Sequence, residues 1–135
     1  MKYLCLVYGE EPKIAAMPDD ECMNYDAQLR KSGRCLASEA LLPVRTATTV
    51  RVRNGEVSVT DGPFAETKEQ LAGFYLIEAE NLDEAIATAS GIPPAAVGSI
   101  EVRPVRELVN STGVRRTDEY LRSVVESDGR RTTIL

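Results

Sequence analysis

The 135-residue chain contains no histidine and no tryptophan. Lack of histidine removes His-dependent triads, His-rich metal sites and the usual general base near neutral pH. Any acid–base chemistry must therefore use carboxylates, Lys, Tyr, Cys or Arg. Cysteine is scarce. Cys5, Cys22 and Cys35 are an odd number without Cys-x-x-Cys spacing, which suits neither a disulfide framework nor a thiolate metal site. Buried, reduced thiols are expected. An excess of positive charge is also missing: 16 basic against 21 acidic residues give a net charge of -5, which disfavours nonspecific binding to nucleic acid or anionic lipid. No apolar run is long enough to span a membrane. The first, Tyr3 to Tyr8, meets Gly9, Glu10 and Glu11 at once and lacks the cleavage region of a signal peptide. A soluble, cytoplasmic protein is expected. Nothing resembles a Walker loop, a dinucleotide-binding glycine pattern, a nucleophile elbow or a zinc site, so no cofactor and no metal are implied.

What is present is ordinary globular usage, 43% hydrophobic and 27% charged residues, in a length that suits one domain. Tyr3 to Tyr8 reads as a central strand covered on both faces. After a loop around Pro12 to Pro18, the acids Asp19, Asp20 and Glu21 precede Cys22, Tyr25 and Leu29, with Arg30 and Lys31 just before Gly33. Acid first, base last and Gly as the stop describe a helix oriented with its dipole. Arg34 to Leu42 reads as a second strand. Val50 and Val52 then alternate with Arg51 and Arg53 before Asn54-Gly55 and Glu56 to Thr60, a hairpin signal whose Arg face is expected to be solvated. Leu71 to Ala79 is a second central-strand candidate. Asn81 and Glu84 can begin a helix along which Leu82, Ala85, Ile86 and Ala89 repeat, and Ser99 to Val105 forms a last strand.

The order is strand, helix, strand, inserted hairpin, strand, helix, strand. It predicts an α+β, ferredoxin-like split βαβ fold over residues 1–105, with both helices on one side of the sheet. Because two strands look apolar on both faces, the uncovered face is expected to pack on a second copy of the chain as a homodimer. Residues 106–135 read as an extension that is a short helix around Asp118 to Glu126 or partly disordered.

Between hairpin and second central strand lies Asp61-Gly62-Pro63-Phe64-Ala65-Glu66-Thr67-Lys68-Glu69. Gly62 and Pro63 make this a turn with four ionisable side chains beside it. With Gly73-Phe74-Tyr75-Leu76-Ile77 and Ser99-Ile100-Glu101-Val102-Arg103-Pro104-Val105, it resembles the DGPF branch of the YCII-related family, from residue 2 to about residue 105. The resemblance implies a ferredoxin-like subunit assembling into a dimeric α/β barrel. The wider family includes a dehydrochlorinase of a chlorinated hydroxyhydroquinone, for which a His-Asp pair has been proposed. DGPF-type proteins also occur beside, or fused to, extracytoplasmic-function sigma factors, which makes a sigma factor a partner to consider. The histidine has no counterpart here, so the pair cannot be carried over.

The loop supplies the candidate catalytic residues Asp61, Glu66, Lys68 and Glu69, in which a nearby Lys and competing carboxylates could separate the pKa values of two acids. The same groups could equally brace the turn or pair on the surface. Glu101, Arg103, Glu39 and Tyr75 are the candidate substrate-binding residues, with Arg103 suited to an anion and Tyr75 to an aromatic ligand. Glu101 with Arg103 can also be a simple ion pair, and Tyr75 a core residue. Two functions follow: a YCII-like enzyme or degenerate enzyme binding a small polar or anionic compound in a dimer cleft, with lyase-like or isomerase-like proton transfer, or a noncatalytic sensing or interaction module.

Overall fold

The computed structural model describes residues 1–116 together with Val124 and Glu126. The chain divides into two units, Met1–Val105 and Arg106–Leu135. The first unit holds β1 (Lys2–Gly9), α1 (Glu11–Ala15), α2 (Asp19–Lys31), β2 (Cys35–Ala40), β3 (Thr48–Arg53), β4 (Glu56–Asp61), β5 (Gln70–Glu78), α3 (Leu82–Ser90) and β6 (Ser99–Pro104). Single 3₁₀ turns occupy Val44–Thr46 and Pro93–Ala96. Four strands form one antiparallel sheet in the order β2-β5-β1-β6, and β3 with β4 forms a separate ribbon. This is the ferredoxin-like split βαβ architecture, with β1 and β5 at the centre.

Alternation along the central strands decides which side chains meet the helices. Tyr3, Cys5 and Val7 of β1 and Tyr75 and Ile77 of β5 join Leu29 of α2 and Ala85 and Ala89 of α3 in one buried cluster, in which Cys5 and Ile77 are wholly buried. Their alternates Leu4, Leu6, Phe74 and Leu76 lie on the opposite face and are only half-buried. The register carries β6 into the same pattern. Glu101 lies opposite Leu6 and Arg103 opposite Leu4, while Val102 lies opposite Cys5.

Local signals account for the element ends. Asn81 caps α3 by accepting the Glu84 N–H at 2.9 Å. Acids crowd the first turn of α2 and Arg30 and Lys31 its last, complementing the helix dipole. Asn54 and Gly55, at φ 53° and 77°, make the hairpin turn.

Three details differ from the sequence reading. The segment after β1 contains α1, because Pro12 sits in the first turn of a helix, where its missing N–H is not needed. β2 covers Cys35–Ala40 with a register shift between Cys35 and Ala37, while Arg34 O accepts the Glu78 N–H and the Leu41 N–H donates to Ala72 O just beyond its ends, both at 2.8 Å. In the hairpin Arg51 is half-buried, and it is Val50, Val52, Val57 and Val59 that are exposed, at 57–68%. Cross-strand pairs Val50–Val59 and Val52–Val57 put all four valines on one face. Arg51 instead lies 5.6 Å over the ring of Phe64.

In the second unit Val109 bridges Arg115, and Asn110 Oδ1 accepts the N–H groups of Thr112 and Val114 at 3.0 and 2.8 Å. Of the expected helix around Asp118 to Glu126, Val124 and Glu126 are helical and the rest lies outside the described residues.

Replacing Ile77 by Ala is expected to lower the unfolding free energy by about 2–5 kcal/mol, as for a large side chain deleted from a packed core. Val57→Ala should change it by less than about 0.5 kcal/mol. Urea denaturation separates the two, and equal losses would show that the valine face is covered in the native protein.

Candidate functional site

Asp26 ties α2 to β2. Its Oδ1 accepts the Ser38 hydroxyl at 2.5 Å and the Cys35 thiol at 3.6 Å, while Arg30, one helical turn on, donates Nε to Oδ1 and Oδ2 at 3.1 and 2.9 Å. Burial alone would raise this carboxyl. The hydrogen bonds from Ser38 and Arg30, with the Arg30 charge, outweigh that and hold it below its ordinary value.

Beside this knot, where the first turns of α2 stand off the sheet, lies a cavity of about 270 Å³. Val7, Ile14, Met17 and Met23 contribute apolar surface, and Cys22, Asp26, Ser38 and Tyr75 bring polar groups to it. Gly73 lines it too. A Cβ there would come within 2.7 Å of the Glu39 carbonyl oxygen, so the close approach of β2 to β5 requires glycine. A wider recess of about 600 Å³ adjoins it, sharing Ile14, Met17, Asp19, Ala40 and Ala72. Its rim is fixed where Glu11 Oε2 accepts the Val44 N–H at 3.0 Å.

Tyr75 is 8% exposed, yet its hydroxyl has no hydrogen-bond partner among the described residues. It packs edge-on against Tyr25, ring centroids 6.4 Å apart. Burial, then the charge fields of Cys22 and Asp26, push its pKa up to about 12. Burial also raises the Cys22 and Cys35 thiols, aided by neighbouring acids. The cavity therefore presents a neutral phenol, a neutral thiol and an ionised carboxylate at neutral pH, and Cys22 is not an activated nucleophile.

The DGPF loop is a separate place. Gly62, at φ 106°, donates its N–H to Ala47 O at 2.8 Å, and the Thr49 hydroxyl donates to Gly62 O at 2.9 Å. The turn is thus braced from β3, while the exposed Asp61 carboxylate makes no hydrogen bond or ion pair among the described residues. Glu66 and Lys68 are exposed as well. Lys68 and Glu69 lie instead near the Glu10–Lys13 ion pair of 2.7 Å, and Glu69 Oε1 accepts the Ser99 hydroxyl at 2.6 Å. The hydrogen bond and charge of Lys13, with Lys68 adding to them, lower the Glu10 carboxyl.

Of the candidate binding residues, Glu39 and Tyr75 line the cavity, whereas Asp61, Glu66, Lys68, Glu69, Glu101 and Arg103 do not. Arg103 and Glu101 approach to 3.9 Å on the helix-free face, in solvent. The residues that sequence reasoning missed are Cys22, Asp26 and Ser38. Asp26 and Arg30 at i, i+4 were visible as a helix pair, but the meeting with Ser38 depends on β2. Among the described residues no group of three or more His, Cys, Asp and Glu is placed to hold a metal ion, and no helix is long and apolar enough to cross a membrane.

Fold and site together define an α+β domain of ferredoxin-like topology with a solvent-open pocket between its first long helix and sheet. Residues 1–109 match the YCII-related domain, and the chain belongs to that family. An uncharacterised protein of Rhizobium meliloti (strain 1021) is 41% identical over 114 residues, covering 78% of this chain and 92% of that protein.

Two outcomes follow. A depressed Asp26 pKa contributes stability that is present above its unfolded value near 4 and lost as pH falls through the lower folded value. Asp26→Asn should therefore cost about 1 kcal/mol near pH 6.5, the gap narrowing in pH-dependent thermal melts as the pH falls below the ordinary carboxylate range; a constant gap contradicts the assignment. Gly62→Ala should cost about 1 kcal/mol through dihedral strain alone, because no atom lies within 4 Å of the added Cβ.

Proposed function

We propose that the chain is a small-molecule-binding protein of the YCII-related family whose ligand enters the cavity between α2 and the sheet. The observation that carries this reading is the Tyr75 hydroxyl, which belongs to a side chain 8% exposed and has no hydrogen-bond partner among the described residues. The hydroxyl itself keeps access to solvent, so a phenol left open beside Asp26 and Ser38 has its hydrogen-bonding capacity ready for a guest. Largely apolar walls with a few polar groups at one end orient a compact molecule. Proton transfer at this site falls to Asp26 as the ionised group, since the phenol and thiols hold their protons.

The assembly in this proposal is a homodimer joined through the helix-free sheet face. Leu4, Leu6, Phe74 and Leu76 give that face an apolar centre, with Glu39 at one edge strand and Glu101 and Arg103 at the other. A second copy covers the apolar centre and brings these charges to the rim.

The binding reading is tested by an NMR fragment screen on the whole chain. Expected are saturable shifts at Cys22, Ser38 and Tyr75, and hits confined to the Asp61–Glu69 loop would overturn it. Sedimentation equilibrium should give twice the 14.8 kDa chain mass, and Leu6→Glu should yield monomers. A wild-type protein that stays monomeric and folded at micromolar concentration refutes the pairing.

A further inference from the structure

We infer that the cavity beneath α2 selects a protonated organic amine with a compact apolar body, its ammonium group held at the end formed by Asp26, Ser38 and Tyr75. This rests on the reading of the cavity as the ligand site and adds the ligand's charge. Asp19 and Asp26 bring carboxylates to the cavity, whereas Glu39 shares the helix-free face with Phe74, and no Lys or Arg lines the space. An anion would enter against two carboxylates, with the nearby Arg30 already engaged by Asp26 and Ser38.

Arg30 compensates Asp26 only in part. Among the described residues Oδ2 accepts from Arg30 alone, so it retains capacity for a further donor, a carboxylate offering about four lone-pair sites in all. The second, independent observation is Tyr75. Its hydroxyl is unpartnered without being sealed from solvent, on a side chain otherwise packed in the core. Cys22 and Asp26, which both line the cavity, are the strongest charge neighbours of that hydroxyl, which locates it at this end. A neutral phenol accepts an N–H on its oxygen, and its ring attracts a cation. An ammonium has three donors: Tyr75 Oη and Asp26 Oδ2 accept two, and Ser38 Oγ, which donates to Asp26 Oδ1 and accepts from Arg30 Nη2 at 3.2 Å, keeps one lone pair for the third. Met17 and Met23 supply soft, adaptable surface for the apolar body.

The test titrates the full chain, in about 150 mM salt to screen surface charge, with three probes of one skeleton: 2-phenylethylamine, 2-phenylethanol and 3-phenylpropionate. Two-dimensional amide NMR reads the site and the affinity. The amine should shift Cys22, Asp26, Ser38 and Tyr75 saturably and bind at least about tenfold tighter than the alcohol, as charge-assisted hydrogen bonds require. Tyr75→Phe, which removes a hydroxyl without a hydrogen-bond partner among the described residues and so leaves the fold intact, should weaken the amine several-fold. Asp26→Asn should abolish the preference for amine over alcohol. If the alcohol binds as tightly, or the carboxylate more tightly, at these same residues, the amine assignment fails while the cavity reading stands. If none of the probes binds there, both fail. Amine shifts that neither variant changes indicate surface carboxylates and overturn the inference.

Discussion

The antiparallel pairing of β1 with β5, covered by helices on one face only, is the constraint on which this structure depends. Both strands are apolar at nearly every position, so whichever face receives α2 and α3 leaves a second apolar face behind. The helix side becomes the core of Cys5, Ile77, Leu29 and the α3 alanines. The other side carries Leu4, Leu6, Phe74 and Leu76, half-buried and bordered by charge. One-sided coverage thus explains both the packed core on one face and the apolar surface left on the other.

The same sheet generates the cavity. β2 approaches β5 so closely at Glu39 that position 73 tolerates only glycine, and Gly73 lines the space beneath the start of α2. Asp26 holds that space in shape. Through Ser38, Cys35 and Arg30 it joins helix to edge strand, so the residue that fixes the wall also supplies its charge. The DGPF loop, by contrast, is braced by Thr49 and Ala47 and presents Asp61 to solvent. Its glycine and proline set the path of the chain from the ribbon into β5, an architectural role that needs no enclosed chemistry.

Much of the fold was legible because local signals agreed with one another. The Asn54-Gly55 turn, the Asn81 cap, the acidic start of α2 and the unbroken apolar runs of β1 and β5 each depend on nearby residues only. The hairpin was harder to read. Alternation of Val with Arg shows that a ribbon has two faces, but which face is covered depends on what packs there, and within the first unit the valine face is left open. The short helix α1 was hidden because Pro12 reads as a breaker unless its place in the first turn is known.

For the site, sequence marked charges but not their meetings. Four ionisable groups within nine residues drew attention to Asp61–Glu69, although Asp61, Glu66 and Lys68 are all exposed and Lys68 and Glu69 lie near Glu10 and Lys13. Glu39 and Tyr75 were named from their strands without the cavity that relates them. By itself the sequence determined the order of elements, the split βαβ plan and the family, since periodicity, caps and turns are local properties written along the chain. Only the tertiary structure decided that Asp26 and Ser38 share a hydrogen bond, that Gly73 lines a cavity and that Tyr75 lines it too. Those facts depend on how closely α2, β2 and β5 approach, a distance between segments remote along the chain.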